Sequence, residues 1–510
     1  MFDLSIVRPN SFGAGVALKA IFGGGCAFAL AFMVGAQPVI DSVSIKERLE
    51  GGSNGRAFES ATIVKIVGAG FGEKQRGGPP ILWDRVGSFR GIDGEYRHGD
   101  GAIDSPFENG TAVSGADERQ PWAEASYAGL YGKEDNAVYV KEDGEALEVK
   151  TIGDGIVRRV VKERTSEDPG QYVVNGPQGF IGKPREYGGK NPPPGNDYLY
   201  VSWWVKQKYH PARVSNYTLS YEAGKFLPGD TFLVEGTRYT GKVLGFPSAD
   251  GNFAAVVFSD RAMIGAKALG KRLVKTDSKG ALITGPGAAV AIPGSPYNSD
   301  GSNKFLRVWD NPNGKGFRLS WTQTTLGFGV VPGATKPNVW YTWPGVENEW
   351  NHAELEVDLK ALKLRAWVNN ALFVNVSLES AARDKNFSPT VSLLGWDGQY
   401  QYYQLTEFGD IYIDNSLQRV IVSNKATWAE ASVAPAVASS GASLVAPRLK
   451  EVQYPLKWTD TEIEAEIYVG AYEHCAVDGL YLYVSNGSGV FNADGYKLPG
   501  KACPAAPKIL

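Results

Sequence analysis

Cysteine, methionine and histidine are scarce, with 3, 3 and 4 residues in a chain of 510. The histidines (His98, His210, His352, His474) are widely spaced, and no CxxC or HExxH string is present, so a zinc site lacks ligands. The phosphate-cradling GxxxxGK[ST] loop and the dinucleotide GxGxxG turn are missing too, which sets nucleotide-dependent chemistry aside. There is no basic excess: 52 Lys and Arg face 55 Asp and Glu, giving a net charge of −3. A nucleic-acid binder normally carries a basic surface, so that class is excluded. The run Cys26 to Val34 (CAFALAFMV) falls short of the roughly 20 apolar residues needed to span a bilayer. No long amphipathic helix and no heptad repeat is found.

Glycine, proline and aromatics are abundant: 62 Gly, 29 Pro and 12% aromatics. That mixture predicts many short strands joined by tight turns. A hydrophobic fraction of 43% can fill a sizeable core, and the length predicts two or three domains. Residues 1–36 read as a signal peptide, with Arg8 and Lys19 before or at the edge of the apolar run and Val34-Gly35-Ala36 before a cleavage expected at Gln37. An uncleaved anchor is the alternative. Export places the protein outside the cell, at the cell surface or in the periplasm. It also predicts a disulfide between Cys475 and Cys503, the only cysteines past the leader, with free thiols as the alternative. On the chain-entropy view such a link contributes roughly 3 kcal/mol.

Past the leader, Thr62-Ile63-Val64-Lys65-Ile66-Val67 is β-branched apart from Lys65 and reads as a strand, with Gly68, Gly70 and Gly72 marking a turn after it. Near the other end, Ile463, Ala465 and Ile467 alternate with Glu462, Glu464 and Glu466, the period of a half-buried strand. The PVIDSVS and TIVKIVGAGFG strings and the ILWD strand resemble the opening of an IPT/TIG immunoglobulin-like domain. Trp458-Thr459-Asp460-Thr461-Glu462-Ile463 and the strand Leu480 to Val484 resemble the latter half of that domain. The resemblance implies one split domain, with residues 37–90 as its first half and 448–500 as its second. An insertion of this size is tolerable because loop-closure entropy grows only logarithmically with length. Two unrelated terminal β segments are the alternative. Residues 433–447 (VAPAVASSGASLVAP) read as a linker or surface insertion.

In between, Ala353, Leu355 and Val357 alternate with Glu354, Glu356 and Asp358, and Leu362 to Val368 forms the next strand before an Asn369-Asn370 turn. The string EWNHAELEVDLKALKLRAWVNNALFVNVSL, with Phe408-Gly409-Asp410-Ile411-Tyr412-Ile413-Asp414 as a closing strand, resembles concanavalin A-like (laminin G-type) jelly rolls. The turn departs from that family's usual glycine, which asparagine can replace. The expected fold is therefore all-β: an antiparallel jelly-roll sandwich over 91–420, its first part loop-rich, inserted into or joined to a small immunoglobulin-like sandwich. Whether 91–195 is a separate module stays open.

Four kinds of candidate site follow. Glu354, Glu356 and Asp358 share one strand face, and paired carboxylates serve glycosidases; the order here is E-x-E-x-D, where some enzymes of this fold use E-x-D-x-(x)-E. The alternative is a solvated face paired with Lys363 and Arg365. His210, Tyr209, Tyr402 and Arg307 are candidates for lyase-type proton transfer, though the lyase strand motifs are absent. Trp343, Trp350, Trp396, Tyr400 and Tyr402, with Asp397 and Gln399, are candidates for stacking on sugars and holding their hydroxyls; 396–403 is expected in a loop. By analogy with jelly rolls, Asp410 and Asp414 are candidate ligands for one structural Ca2+. These readings lead to a secreted protein that binds an extracellular polysaccharide or glycan, or acts as an adhesin. A polysaccharide hydrolase or lyase is one alternative, and a structural surface or virion component another.

Overall fold

The computed structural model describes residues 37–48, 62–74, 77–84, 88–91, 96–98, 122–123, 137–140, 148–151, 172–175, 179–184, 197–210, 213–246, 250–260, 265–296, 304–309, 316–322, 326–331, 344–378, 389–397, 406–428, 431–432, 450–467 and 480–498. All belong to the unit Gln37–Leu510; the leader 1–36, the linker 433–447, Cys475 and Cys503 lie outside them. The described residues form antiparallel sheets in sandwich-like and barrel-like arrangements, apart from the parallel pairing of Ala371–Ser377 with Ala431–Ser432, and one short 3-10 turn lies at Gly265–Ala268. None of their helices is long and apolar enough to cross a membrane.

Strands from both chain ends share one sheet. Thr62–Ala69 pairs with Val39–Arg48 on one side and Glu462–Ile467 on the other, and Glu462–Ile467 pairs in turn with Tyr454–Trp458. A second four-stranded sheet contains Lys450–Val452, Val420–Ser423, Tyr481–Val484 and Tyr496–Lys497. The alternating apolar residues explain why these two sheets meet. Val64, Ile66, Ile463, Ala465 and Ile467 pack in one core with Val420, Val422, Leu482 and Val484. Each fully buried side chain of this size contributes about 1.5–3 kcal/mol relative to exposure. Trp458 closes the core, its indole N–H donating to the Gly72 carbonyl at 3.0 Å. Leu82–Asp84, read in the sequence with this terminal part, pairs instead with Thr406–Asp414.

The expected disulfide is corrected. No disulfide is found among the described residues, and neither Cys475 nor Cys503 is among them. Hydrogen bonds close the hairpin between these positions: Tyr481 is in register with Lys497, and Leu498 N–H donates to Leu480 O at 2.9 Å.

The twelve-stranded sheet carries the hairpin read from the sequence. Trp350–Asp358 lies between Tyr198–Gln207 and Lys363–Val368. Asn369 (φ 53°) and Asn370 (φ 63°) form the two-residue turn to Ala371–Ser377. Both residues are left-handed, which asparagine accepts and β-branched residues resist. Asn370→Val is expected to cost about 1–2 kcal/mol or more, whereas Asn370→Gly should keep the turn; urea unfolding of the two variants distinguishes them. A six-stranded sheet of Trp122–Ala123, Gly179–Pro184, Lys304–Trp309, Gly316–Thr322, Leu326–Val331 and Val391–Asp397 accompanies it.

A closed barrel was not anticipated. Val214–Ala223, Thr231–Val234, Thr240–Gly245, Phe253–Phe258, Leu273–Thr276 and Val290–Pro296 close on themselves between two strands of the larger sheets. Tyr217, Phe226, Phe232 and Phe258 fill its interior. Gly241 admits the Phe232 ring, since a Cβ there would lie 2.4 Å from Phe232 Cζ. Closure leaves no sheet edge within the barrel. At its root Arg213 grips both oxygens of Glu347, at 2.6 and 2.7 Å, and Glu347 also accepts the His210 N–H at 2.8 Å.

Candidate functional site

The three carboxylates of Trp350–Asp358 occupy alternate positions; the expected pairing with Arg365 is present at Glu356, but Glu354 and Glu356 are covered where a solvated face was expected. Registers place Glu354 between Ser202 and Trp367, and Glu356 between Tyr200 and Arg365. The strand is flanked on both sides within its sheet; Arg365 reaches Glu356 from the neighbouring strand, and Arg419 and Lys450 reach the carboxylates from the sheet containing Val420–Ser423 and Lys450–Val452. Glu354 is 0% exposed and Glu356 1%. At these two positions the face is not solvated, while Asp358 at the strand end is partly exposed.

Every carboxylate has a structural occupant. Tyr200 O–H donates to Glu354 Oε1 at 2.7 Å, and Lys450 Nζ pairs with Glu354 Oε2. Lys450 also donates to Asn370 Oδ1 at 3.0 Å and lies 5.3 Å from the Trp428 ring centre. Glu356 is held between Arg365 and Arg419, whose Nη1 is 3.3 Å from Oε2. The Arg419 guanidinium stacks over Tyr200 at 4.1 Å and approaches Phe491 at 4.8 Å. His352 lies 3.6 Å from Glu354 Oε2, with its Nε2 3.1 Å from Ser202 Oγ. Asp358, at the strand end, accepts the Ala361 N–H at 2.7 Å and shapes the following turn.

The electrostatics follow from this arrangement. Burial alone pushes the Glu354 carboxyl up, but Lys450, His352 and Arg419 together outweigh it and hold the group at about 2. Burial first, and the Glu354 charge second, push the Tyr200 hydroxyl well above its ordinary range. A glycosidase acid must be protonated near its working pH and must reach a sugar oxygen. An ionised Glu354 that is closed off by Lys450 and Tyr200 meets neither requirement.

Asp414 is likewise occupied. Lys74 Nζ lies 2.6 Å from its Oδ2, and Tyr412 O–H donates to the same oxygen at 3.0 Å. An ammonium thus stands where the sequence reading would place a cation. Asp410 is at a bulge in the same strand, where Asp410 and Ile411 oppose Trp203; its φ is 41° and it is buried. Among the described residues no group of three or more His, Cys, Asp or Glu converges to hold a metal.

Of the aromatic candidates, Trp350 opens its strand opposite Lys206 and is partly exposed. Trp396 and Asp397 are the last residues of Val391–Asp397, in register with Gly179 and Lys304, so this part of the expected loop is strand. Trp343, Gln399, Tyr400 and Tyr402 lie outside the described residues. His210 and Arg307 are buried, while Tyr209 is less enclosed, its hydroxyl pushed up by burial and by Glu347.

The sequence reading missed Lys74, Arg419 and Lys450, which complete these networks from distant segments. A signal existed for Arg419: a single cation beside the apolar run Val420-Ile421-Val422, where an unpaired charge would be costly.

No protein-family model and no curated protein matches the chain. Solved structures with slight likeness include the receptor-binding domain of a botulinum neurotoxin C/D mosaic serotype (9% identity, TM-score 0.23, covering 55% of this chain and 48% of that one). A cellulose-induced protein matches at 11% identity and TM-score 0.23, covering 57% of this chain and 89% of its own. Trypanosoma rangeli sialidase in complex with the inhibitor DANA matches at 10% identity and TM-score 0.21, covering 55% and 30%. The chain spans about half the length of the neurotoxin structures it matches. Likenesses this slight identify neither family nor activity.

Proposed function

We propose that this is an exported glycan-binding or adhesion protein, in which a concanavalin A-like jelly roll presents aromatic side chains and a split TIG-like sandwich, made from both chain ends, supports it. The observation that carries the choice of binding over hydrolysis is the burial of Glu354 and Glu356 within cation pairs. These residues were the carboxylates nearest to a glycosidase pattern, and their role here is to join sheets. Trp350, partly exposed at a strand start, and Trp396 with Asp397 at a strand end are the proposed contacts for sugar faces and hydroxyls.

The test is a glycan array and polysaccharide pulldown, with Ca2+ and with EDTA, alongside an assay for new reducing ends and unsaturated uronates. Binding without product is expected. Trp350→Ala should weaken retention about tenfold, roughly the loss of one stacked aromatic contact. Loss of binding in EDTA would point to a cation site outside the described residues. Product release would overturn the reading in favour of an enzyme, and neither binding nor product would favour a structural surface role.

A further inference from the structure

Lys74 and Asp414 form a pair that no ligand-binding role requires. Lys74 follows the Thr62–Ala69 strand and its turn, and Asp414 ends Thr406–Asp414 of the twelve-stranded sheet. Their side chains are 0% and 1% exposed, with Nζ 2.6 Å from Oδ2. Tyr412 O–H reaches the same oxygen at 3.0 Å, and the Trp458 ring centre lies 5.4 Å from Nζ. As ions, the pair is costly to bury even with Tyr412 O–H and the Asn415 backbone N–H donating to the carboxylate. Burial is the largest influence on each partner: it pushes the Asp414 carboxyl up and the Lys74 amine down, against their mutual attraction. Burial thus works against the charged form of each partner, and the two are held in contact away from water. Desolvated lysine amines are nucleophiles, and fixed contact removes the entropic cost of bringing the groups together.

We infer that Lys74 and Asp414 condense into an intramolecular isopeptide bond, Nζ to Cγ, joining the chain-end sheet to the twelve-stranded sheet. One ammonium proton passes to the carboxylate, and the amine lone pair adds to Cγ. The C–O bond then breaks, and the oxygen leaves as water carrying two of the three original ammonium protons; the third stays on the amide nitrogen. The step is neutral overall and needs no oxidant, reductant or cofactor. Tyr412 O–H polarises the carboxyl by donating to Oδ2. The absence of exposure protects the amide from hydrolysis.

Denaturing intact-mass measurement and tryptic mapping of the full chain test this. The expected result is a mass one water below that calculated for the linear chain with the termini found, and a branched peptide joining the segments that carry Lys74 and Asp414. Lys74→Arg and Asp414→Ala should each restore the full mass and the linear peptides. If either variant fails to fold, the map of the unaltered protein still decides the matter. Linear peptides at full mass would overturn the inference, as would a branch between another pair, such as an ammonia-releasing link from Lys450 to Asn370.

Discussion

Lys450→Met is expected to lower folding stability by about 3–5 kcal/mol, because it takes from the buried Glu354 carboxylate the nearest and strongest of its cations. Glu354→Gln should cost a comparable amount by removing the buried carboxylate that pairs with Lys450. The double variant Glu354→Gln with Lys450→Met should recover much of the loss, since removing both charges removes the desolvation cost as well. Urea titration of the four proteins gives the coupling directly. A coupling near zero would mean that the pair does not fasten the two sheets.

The same carboxylate predicts a pH dependence. Its folded value, about 2, lies below its ordinary 4.5, so the folded state binds the proton more weakly than the unfolded chain. The stabilisation is therefore fully present above pH 4.5 and is lost as pH falls toward 2. It amounts to on the order of 3 kcal/mol. In Lys450→Met this acid-dependent loss should shrink, which urea midpoints measured down the acid range will show.

The second large effect concerns the core built by both chain ends. Trp458→Ala removes a fully buried indole and its hydrogen bond to Gly72, for an expected loss of about 3–5 kcal/mol. Because Thr62–Ala69 is paired with Glu462–Ile467, the loss should appear in both segments at once. Amide hydrogen exchange should show the two strands deprotected in parallel, while the barrel strands Phe253–Phe258 and Val214–Ala223 keep their protection. Deprotection of one chain end alone would contradict a shared core.

Much of the local structure was legible in the residues. The alternation through Ile463, Ala465 and Ile467 marks a strand and its buried side, and the asparagine pair at 369–370 marks the turn between two strands. The barrel was harder to read. Several of its strands have four to six residues, too few to establish a period, and closure depends on pairing between segments far apart in the chain. The surroundings of the candidate site were hidden for a related reason. Glu354, Glu356 and Asp358 alternate as an exposed strand face would, and nothing within that strand announces that Arg419 and Lys450 will cover it.

The sequence by itself determined the class of structure, because β-branched alternation, glycine turns and aromatic content act locally and admit little besides short antiparallel strands. It also determined which residues carry charge. Tertiary structure alone decided what those charges do: whether Glu354 meets water or Lys450, and whether Asp414 meets a metal ion or Lys74. The reason is physical. The ionisation and reactivity of a carboxylate are set by its burial and by the charges within a few ångströms, and here those charges come from residues remote in the chain.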